Sequence, residues 1–208
     1  MRAATCTISS TVLALLLAGC AAHEEARVAK LQEANPVPSR FSVCHGNTCR
    51  LRSDISLSKA EWRSVRDVFA TPPADAVAER RLIAQAIGML EVMVGRQAGT
   101  LDDAGGVGMH ANVDEQLDCI DETTNSTAYM RMMAADGLLR FHQVGGPAHR
   151  FVLSAWGPSN TATVTEIATG KRYAVDSFFL ANGQPASVLS LDLWLTGWVP
   201  EDGTPPDS

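Results

Sequence analysis

Residues 136–144, Asp136-Gly137-Leu138-Leu139-Arg140-Phe141-His142-Gln143-Val144, mark the point where the periodicity of the chain changes. Upstream of Gly137 apolar residues recur at helical spacing, and downstream they alternate. The helical half ends with an element over 119–136, for which Gly137 is the natural C-terminal stop. Before it lies a longer helix over 74–94, with Ile83, Ile87, Leu90 and Val94 on one face, followed by a Gly- and Asp-rich loop over 95–108. Ser58-Lys59-Ala60-Glu61 is a capping box. It opens a helix that carries Trp62, Val65 and Phe69 inward and is stopped by Pro72-Pro73. After Gly137 the alternation predicts strands at 139–144, 151–155, 161–167 and 171–179, the last two joined by the hairpin signal Ala168-Thr169-Gly170. A short closing helix carries Leu191, Trp194 and Trp198. Helices first and antiparallel strands after make an α+β domain over residues 41–199.

Composition agrees with one such domain. The chain has 208 residues, 46% hydrophobic and 19% charged, with four Trp and six Phe, enough apolar surface to offset the entropy of ordering the chain. Seventeen Lys and Arg against 23 Asp and Glu leave a formal charge of −6. Nucleic-acid binding needs a basic face that this balance does not supply. The apolar run near the N-terminus is too short to span a bilayer, which excludes a multi-span membrane protein.

The start, MRAATCTISSTVLALLLAGC, has a basic residue (Arg2), an apolar stretch to Leu17, and small residues at its end, the layout of a secretory signal over 1–19. Leu17-Ala18-Gly19-Cys20 resembles the lipobox of bacterial lipoproteins. That resemblance implies cleavage before Cys20, acylation of its sulfur and new amino group, and anchoring to a membrane through the N-terminal lipid, since two or three acyl chains hold stably where one does not. Ala21 stands where inner-membrane retention would show Asp, so the implied location is the bacterial cell envelope, at the outer membrane facing the periplasm. Residues 20–40, ending in Asn35-Pro36-Val37-Pro38-Ser39, read as an extended tether, and 200–208 as an acidic, Pro-rich, frayed tail.

Of the cysteines left after processing, Cys44 and Cys49 are the natural disulfide in an oxidising envelope, and Cys119 stays unpaired. The competing chemistry is a soft-metal site from Cys44, His45 and Cys49 with a Met, but C-x₄-C lacks a second ligand pair. Met89, Met93, Met130, Met132 and Met133 fall on helices and read as core filling. No metal and no cofactor is expected. Gly105-Gly106-Val107-Gly108 is a flexible loop rather than a nucleotide cradle, the Asn125-Ser126-Thr127 sequon is discounted because it lies in a helix, and His142 is read as strand surface.

Cys119, in Gln116-Leu117-Asp118-Cys119-Ile120-Asp121-Glu122, sits at a helix start, where backbone N–H groups favour thiolate while Asp118, Asp121 and Glu122 oppose it. His149 and Asp176 follow on strands. Helix Cys, then strand His, then strand Asp resembles the transglutaminase-like cysteine proteinases, a papain-related fold. Leu117-Asp118-Cys119-Ile120-Asp121 looks like that family's Gly-x-Cys-x-Asp with Leu for Gly. Asp136–Arg140 and Lys171–Ser177 are similar to its segments after the Cys helix and before its Asp. The resemblance implies Cys119 as nucleophile, a His as base and Asp176 as its orienter, acting on the amide bonds of a peptide or protein substrate. Two registers remain for the base. One takes His149, whose His149-Arg150-Phe151-Val152 looks like the family's His-x-aromatic-Val; the other places it at Ser159 or Asn160, neither of which can act as a base. In the second register the chain is an inactive binding or envelope-assembly module. Plain alternatives stand beside these roles: Cys119 as a core thiol, and Asp176 as a structural hydrogen-bond acceptor.

Overall fold

The computed structural model describes residues 10–106, 113–151 and 157–200. Five helices and seven strands run in the order α1 (Ser10–Ala29), β1 (Phe41–His45), β2 (Leu51–Ile55), α2 (Lys59–Val68), α3 (Ala76–Ala98), α4 (Cys119–Ala135), β3 (His142–Val144), β4 (Ala148–Arg150), β5 (Ser159–Glu166), β6 (Arg172–Asp176), β7 (Ser187–Ser190) and α5 (Leu191–Leu195). The fold is α+β with antiparallel sheets, as the periodicity indicated.

The helix boundaries follow their caps. Ser58 caps α2 through a complete box, its hydroxyl accepting from the Glu61 N–H while the Glu61 carboxylate accepts from the Ser58 N–H. At the other end Asp136 receives the Trp62 indole N–H at 2.9 Å and pairs with Arg66, tying α2 to the C-terminus of α4. α3 runs four residues past the expected end at residue 94. Its stop is Gly99, left-handed at φ +80, whose N–H reaches the Gly95 carbonyl. Gly95 therefore belongs to the helix, and a Cβ there would crowd the Leu101 backbone.

β3 and β4 both pair with β5, at opposite ends of it, so they form one edge strand interrupted at Gly145-Gly146-Pro147. The full sheet order is β3/β4–β5–β6–β7. Its two faces differ. Ala162, Val164, Val175 and Val188 lie against the main core with α2, α3 and α4, whereas Ala148, Ala174, Leu189, Leu191 and Trp194 pack on the reverse face under α5. β1 and β2 form a separate hairpin, and Phe41, Val43 and Ile55 bring it into the main core. α4 is buried along nearly its whole length.

Several expectations need correction. Residues 20–29 are helical and docked, not an extended tether: the helix of the apolar N-terminal stretch continues through Ala-Ala-His-Glu-Glu-Ala, all compatible with helix, and Val28 is fully buried. The strand expected at 151–155 is instead β4, three residues earlier; Phe151 lies outside it and 152–156 fall outside the described residues. β1, β2 and β7 were not foreseen. His142 is buried rather than surface: its Nδ1 lies 2.9 Å from a carboxylate oxygen of the fully buried Glu79, and its Nε2 lies 3.2 Å from Arg80. Gly105 and Gly106 pack tightly on 178–180, and the Gly106 N–H donates to the Phe178 carbonyl at 2.6 Å. The 201–208 tail and residues 1–9, where the signal was expected to begin, lie outside the described residues. Among the described residues no helix is long and apolar enough to cross a membrane.

Candidate active site

The site is assembled around the first turn of α4. Asp118 caps it, one carboxylate oxygen accepting from Ile120 at 2.9 Å and Asp121 at 3.0 Å, while Asp121 accepts from the Asp118 N–H. A tight loop then wraps this turn. Gly46, Asn47, Thr48 and Cys49 are all left-handed, with φ between 54 and 73, a conformation that costs a non-glycine residue of order 1 kcal/mol. Three N–H groups of this loop point at the two carboxylates: Asn47 and Cys49 donate to Asp121 at 2.9 and 2.7 Å, and Thr48 donates to Asp118 at 2.8 Å. The disulfide between Cys44 and Cys49 closes the loop. Asn125 brackets the same hairpin by bonding both the N–H and the carbonyl of Cys44, so the sequon side chain is buried and committed.

The residues of the metal alternative are engaged otherwise. Cys44, Cys49 and Asp121 cluster closely enough to hold an ion, but both sulfurs are in the disulfide and both Asp121 oxygens accept backbone N–H groups. His45 is occupied by the Asp114 carbonyl at 2.9 Å and the Ser53 hydroxyl at 3.0 Å. The donor set does not fit a metal. The Met residues fill core: Met130, Met132 and Met133 are buried in the main core, with Met89 and Met93 packed against that core.

Cys119 is the first residue of α4 and is 8% exposed. Burial, reinforced by the charge of Asp118, pushes its thiol up to about 12, against a lowering by hydrogen bonds from Asn160 and Ser159. Desolvation outweighs the helix start here, and the resting group is a thiol. Its sulfur is 3.8 Å from the amide nitrogen of Asn160 on β5, and the oxygen of the same amide is 3.1 Å from Nδ1 of His149 on β4. The register makes this arrangement: His149 is directly opposite Asn160, and Asn160 shares the α4-facing side with Ala162 and Val164. With Asn160 Oδ1 as acceptor, His149 Nδ1 carries the proton. Its Nε2 is buried with no hydrogen-bond partner among the described residues. The ring meets Phe151 edge-on at 4.4 Å between centroids.

Asp176 does not join them, and its assignment as orienter is corrected. It lies on the reverse face with Ala174, accepting the Trp194 indole N–H at 2.6 Å and the Phe178 N–H at 3.1 Å. Burial raises it to about 6, against lowering by Trp194 and Arg150. Arg150 stacks on Trp194 with its guanidinium carbon 4.2 Å from the ring and donates to the Trp194 and Trp198 carbonyls. The plain reading of Asp176, a structural acceptor, is the one its contacts fit. Residue parity explains this: Asp176 is one position out of phase with Val175, which faces α4.

Sequence reasoning missed two parts of the site. Asn160 was set aside because an amide cannot be a base, although the alternation of β5 put it on the correct face. The other is α1. A cavity of about 640 Å³ has Cys119, His149 and Asn160 in its wall, together with Ile120, Phe151 and Pro158. Its opposite wall is α1, through Cys20, His23, Glu24 and Arg27. Val28 forms one buried cluster with Cys119, Ile120 and Phe178. The Glu25 carboxylate accepts the His149 N–H at 3.2 Å, and Glu24 pairs with Arg27 at 2.6 Å. Comparison with protein-family models, with curated proteins and with solved structures finds no match for this chain.

Proposed function

We propose that the protein is an envelope-anchored lipoprotein whose Cys119, His149 and Asn160 carry out acyl transfer or hydrolysis at an amide, in a resting form covered by α1. The observation that carries this reading is the Asn160 amide, which faces His149 with its oxygen and Cys119 with its nitrogen in the wall of one cavity. His149 Nε2 has the free lone pair that a base needs, and it reaches the thiol once the Asn160 amide swings out from between the two. It takes the thiol proton as the sulfur attacks the carbonyl carbon. The carbonyl C–N bond then breaks, the amine leaves with that proton, and an acyl thioester remains on Cys119. Water, or a second amine, attacks the thioester and restores the thiol. Asn160 holds the ring through its oxygen, and its N–H₂, beside the sulfur, offers a donor to the developing oxyanion. The order of Cys and His agrees with the transglutaminase-like resemblance, with Asn160 in place of an acid.

A second reading, a catalytically inactive binding or assembly module, is favoured by the thiol being pushed up to about 12 and by Asn160 standing between it and His149. Hydrolysis of p-nitrophenyl hexanoate by the mature chain separates the two. Catalysis requires turnover that disappears in Cys119→Ser and falls by roughly 10²-fold or more in His149→Ala. Turnover indifferent to both substitutions would leave the module reading.

A further inference from the structure

We infer that the Cys119 cavity opens onto the anchoring membrane and takes a hydrocarbon tail of that membrane's lipids, so that the substrate class of the proposed site is an amide-linked acyl lipid. This rests on the lipobox reading of Cys20 and on the acyl-transfer reading of Cys119.

The first support is the place of the anchor. Cys20 itself lines the cavity. From Cys20 to Val28 the chain is helix, which at 1.5 Å per residue spans about 12 Å, and Val28 shares one buried cluster with Cys119. The segment behind it has no slack either. The Leu31 carbonyl accepts from Arg52 at 2.6 Å, Gln32 donates to Thr127 at 3.0 Å, and Arg131 bonds both Gln32 and the Glu33 carbonyl. A lipid on Cys20 therefore holds the bilayer surface beside the mouth of the cavity, where an extended tether would have let it stand away.

The second support is the chemistry of the wall. Most of the surface facing the cavity is apolar, with Ile120, Phe151 and Pro158 contributing, and Phe151 is 48% exposed beside it. An extended peptide laid there would leave amide groups unpaired against carbon, at a cost of about 1–3 kcal/mol each. A hydrocarbon tail has nothing to leave unpaired. The volume of about 640 Å³ is that of an ordinary small-molecule site.

The test uses the mature lipidated protein in vesicles of phosphatidylethanolamine and phosphatidylglycerol. They contain a trace of phospholipid with a photoactivatable diazirine on its acyl chain. After irradiation, the inference expects adducts concentrated on peptides containing Ile120, Phe151 and Pro158. In Phe151→Glu, checked for an unchanged circular dichroism spectrum, these adducts should fall roughly tenfold. Adducts confined to residues 20–23, or spread evenly over the surface, would overturn it, because the tails around the anchor would then not enter the cavity. Adducts unaffected by Phe151→Glu would overturn it as well. Intact mass separates the causes of failure: an unmodified Cys20 overturns the inference through the lipobox reading. Cavity adducts in a protein that hydrolyses no ester support lipid binding while removing the catalytic reading.

Discussion

Replacing Val28 with Ala should expose Cys119 without unfolding the domain. Val28 is fully buried and belongs to the cluster of Cys119, Ile120 and Phe178 that holds α1 over the site. The substitution removes two buried carbons, about 1.6 kcal/mol of transfer free energy, and the residual void brings the loss to about 2 kcal/mol. Because α1 docks through few buried apolar contacts, the loss falls on its local opening equilibrium, not on the global one. At 1.4 kcal/mol per factor of ten, opening becomes roughly thirtyfold more frequent. The assay is iodoacetamide labelling of the chain from Cys20 onward at fixed pH, with Cys119 occupancy followed by peptide mass. Val65→Ala is the control. It removes the same two carbons from a fully buried site in the main core, so it tests whether global loosening does the same. Labelling should accelerate by roughly thirtyfold in the first variant and only about twofold in the second. Equal acceleration in both, or none in Val28→Ala, would refute the assignment of α1 as the cover.

Asp176→Ala should lower stability by about 2–4 kcal/mol, because it strands the Trp194 indole N–H and leaves Arg150 without its nearby acid. Thermal melts would measure that loss, and the labelling rate of Cys119 in the folded variant should stay as in the parent. The same residue sets a pH dependence. Its folded carboxyl is raised to about 6, above the ordinary value near 3.9, so between those values the native state binds the proton that the unfolded state has lost. Stability contributed by this group is present below pH ~4 and is lost as pH rises towards 6, up to about 3 kcal/mol; Asp176→Asn should flatten that part of the curve in denaturant titrations. Reduction of the Cys44–Cys49 disulfide releases a short loop worth about 2 kcal/mol of chain entropy and frees the left-handed residues that cap α4. Melts with and without a phosphine reductant should differ by roughly 4–8 °C.

The sequence revealed most where local chemistry decides structure. The Ser58 capping box, the helical face of Ile83, Ile87, Leu90 and Val94, and the stop at Gly137 all appear as read, because caps and amphipathic faces act within a few residues. Strand existence was legible from alternation, but its edges were not: 139–144 shortened to β3, and the next strand moved to Ala148–Arg150, since Gly145 and Pro147 break a single edge strand in a way that alternation cannot register. The β1–β2 hairpin stayed hidden because its loop is held left-handed by Asp118 and Asp121, more than 60 positions away. Cys119 and His149 were found by residue type, and the strand pairing brings both to one cavity. Asp176 was chosen by order along the chain, and a one-residue phase difference puts it on the far face. α1 escaped notice because an apolar leader and a docked helix draw on the same residues.

The central claim is that Cys119 receives an acyl group with His149 as its base. Its most direct measurement is intact and peptide mass spectrometry of the chain from Cys20 onward, quenched within seconds of mixing with p-nitrophenyl hexanoate. The account expects one hexanoyl adduct on the peptide containing Cys119, formed in step with nitrophenolate release and lost in His149→Ala. An adduct elsewhere, or one on Cys119 that forms equally fast without His149, would contradict it.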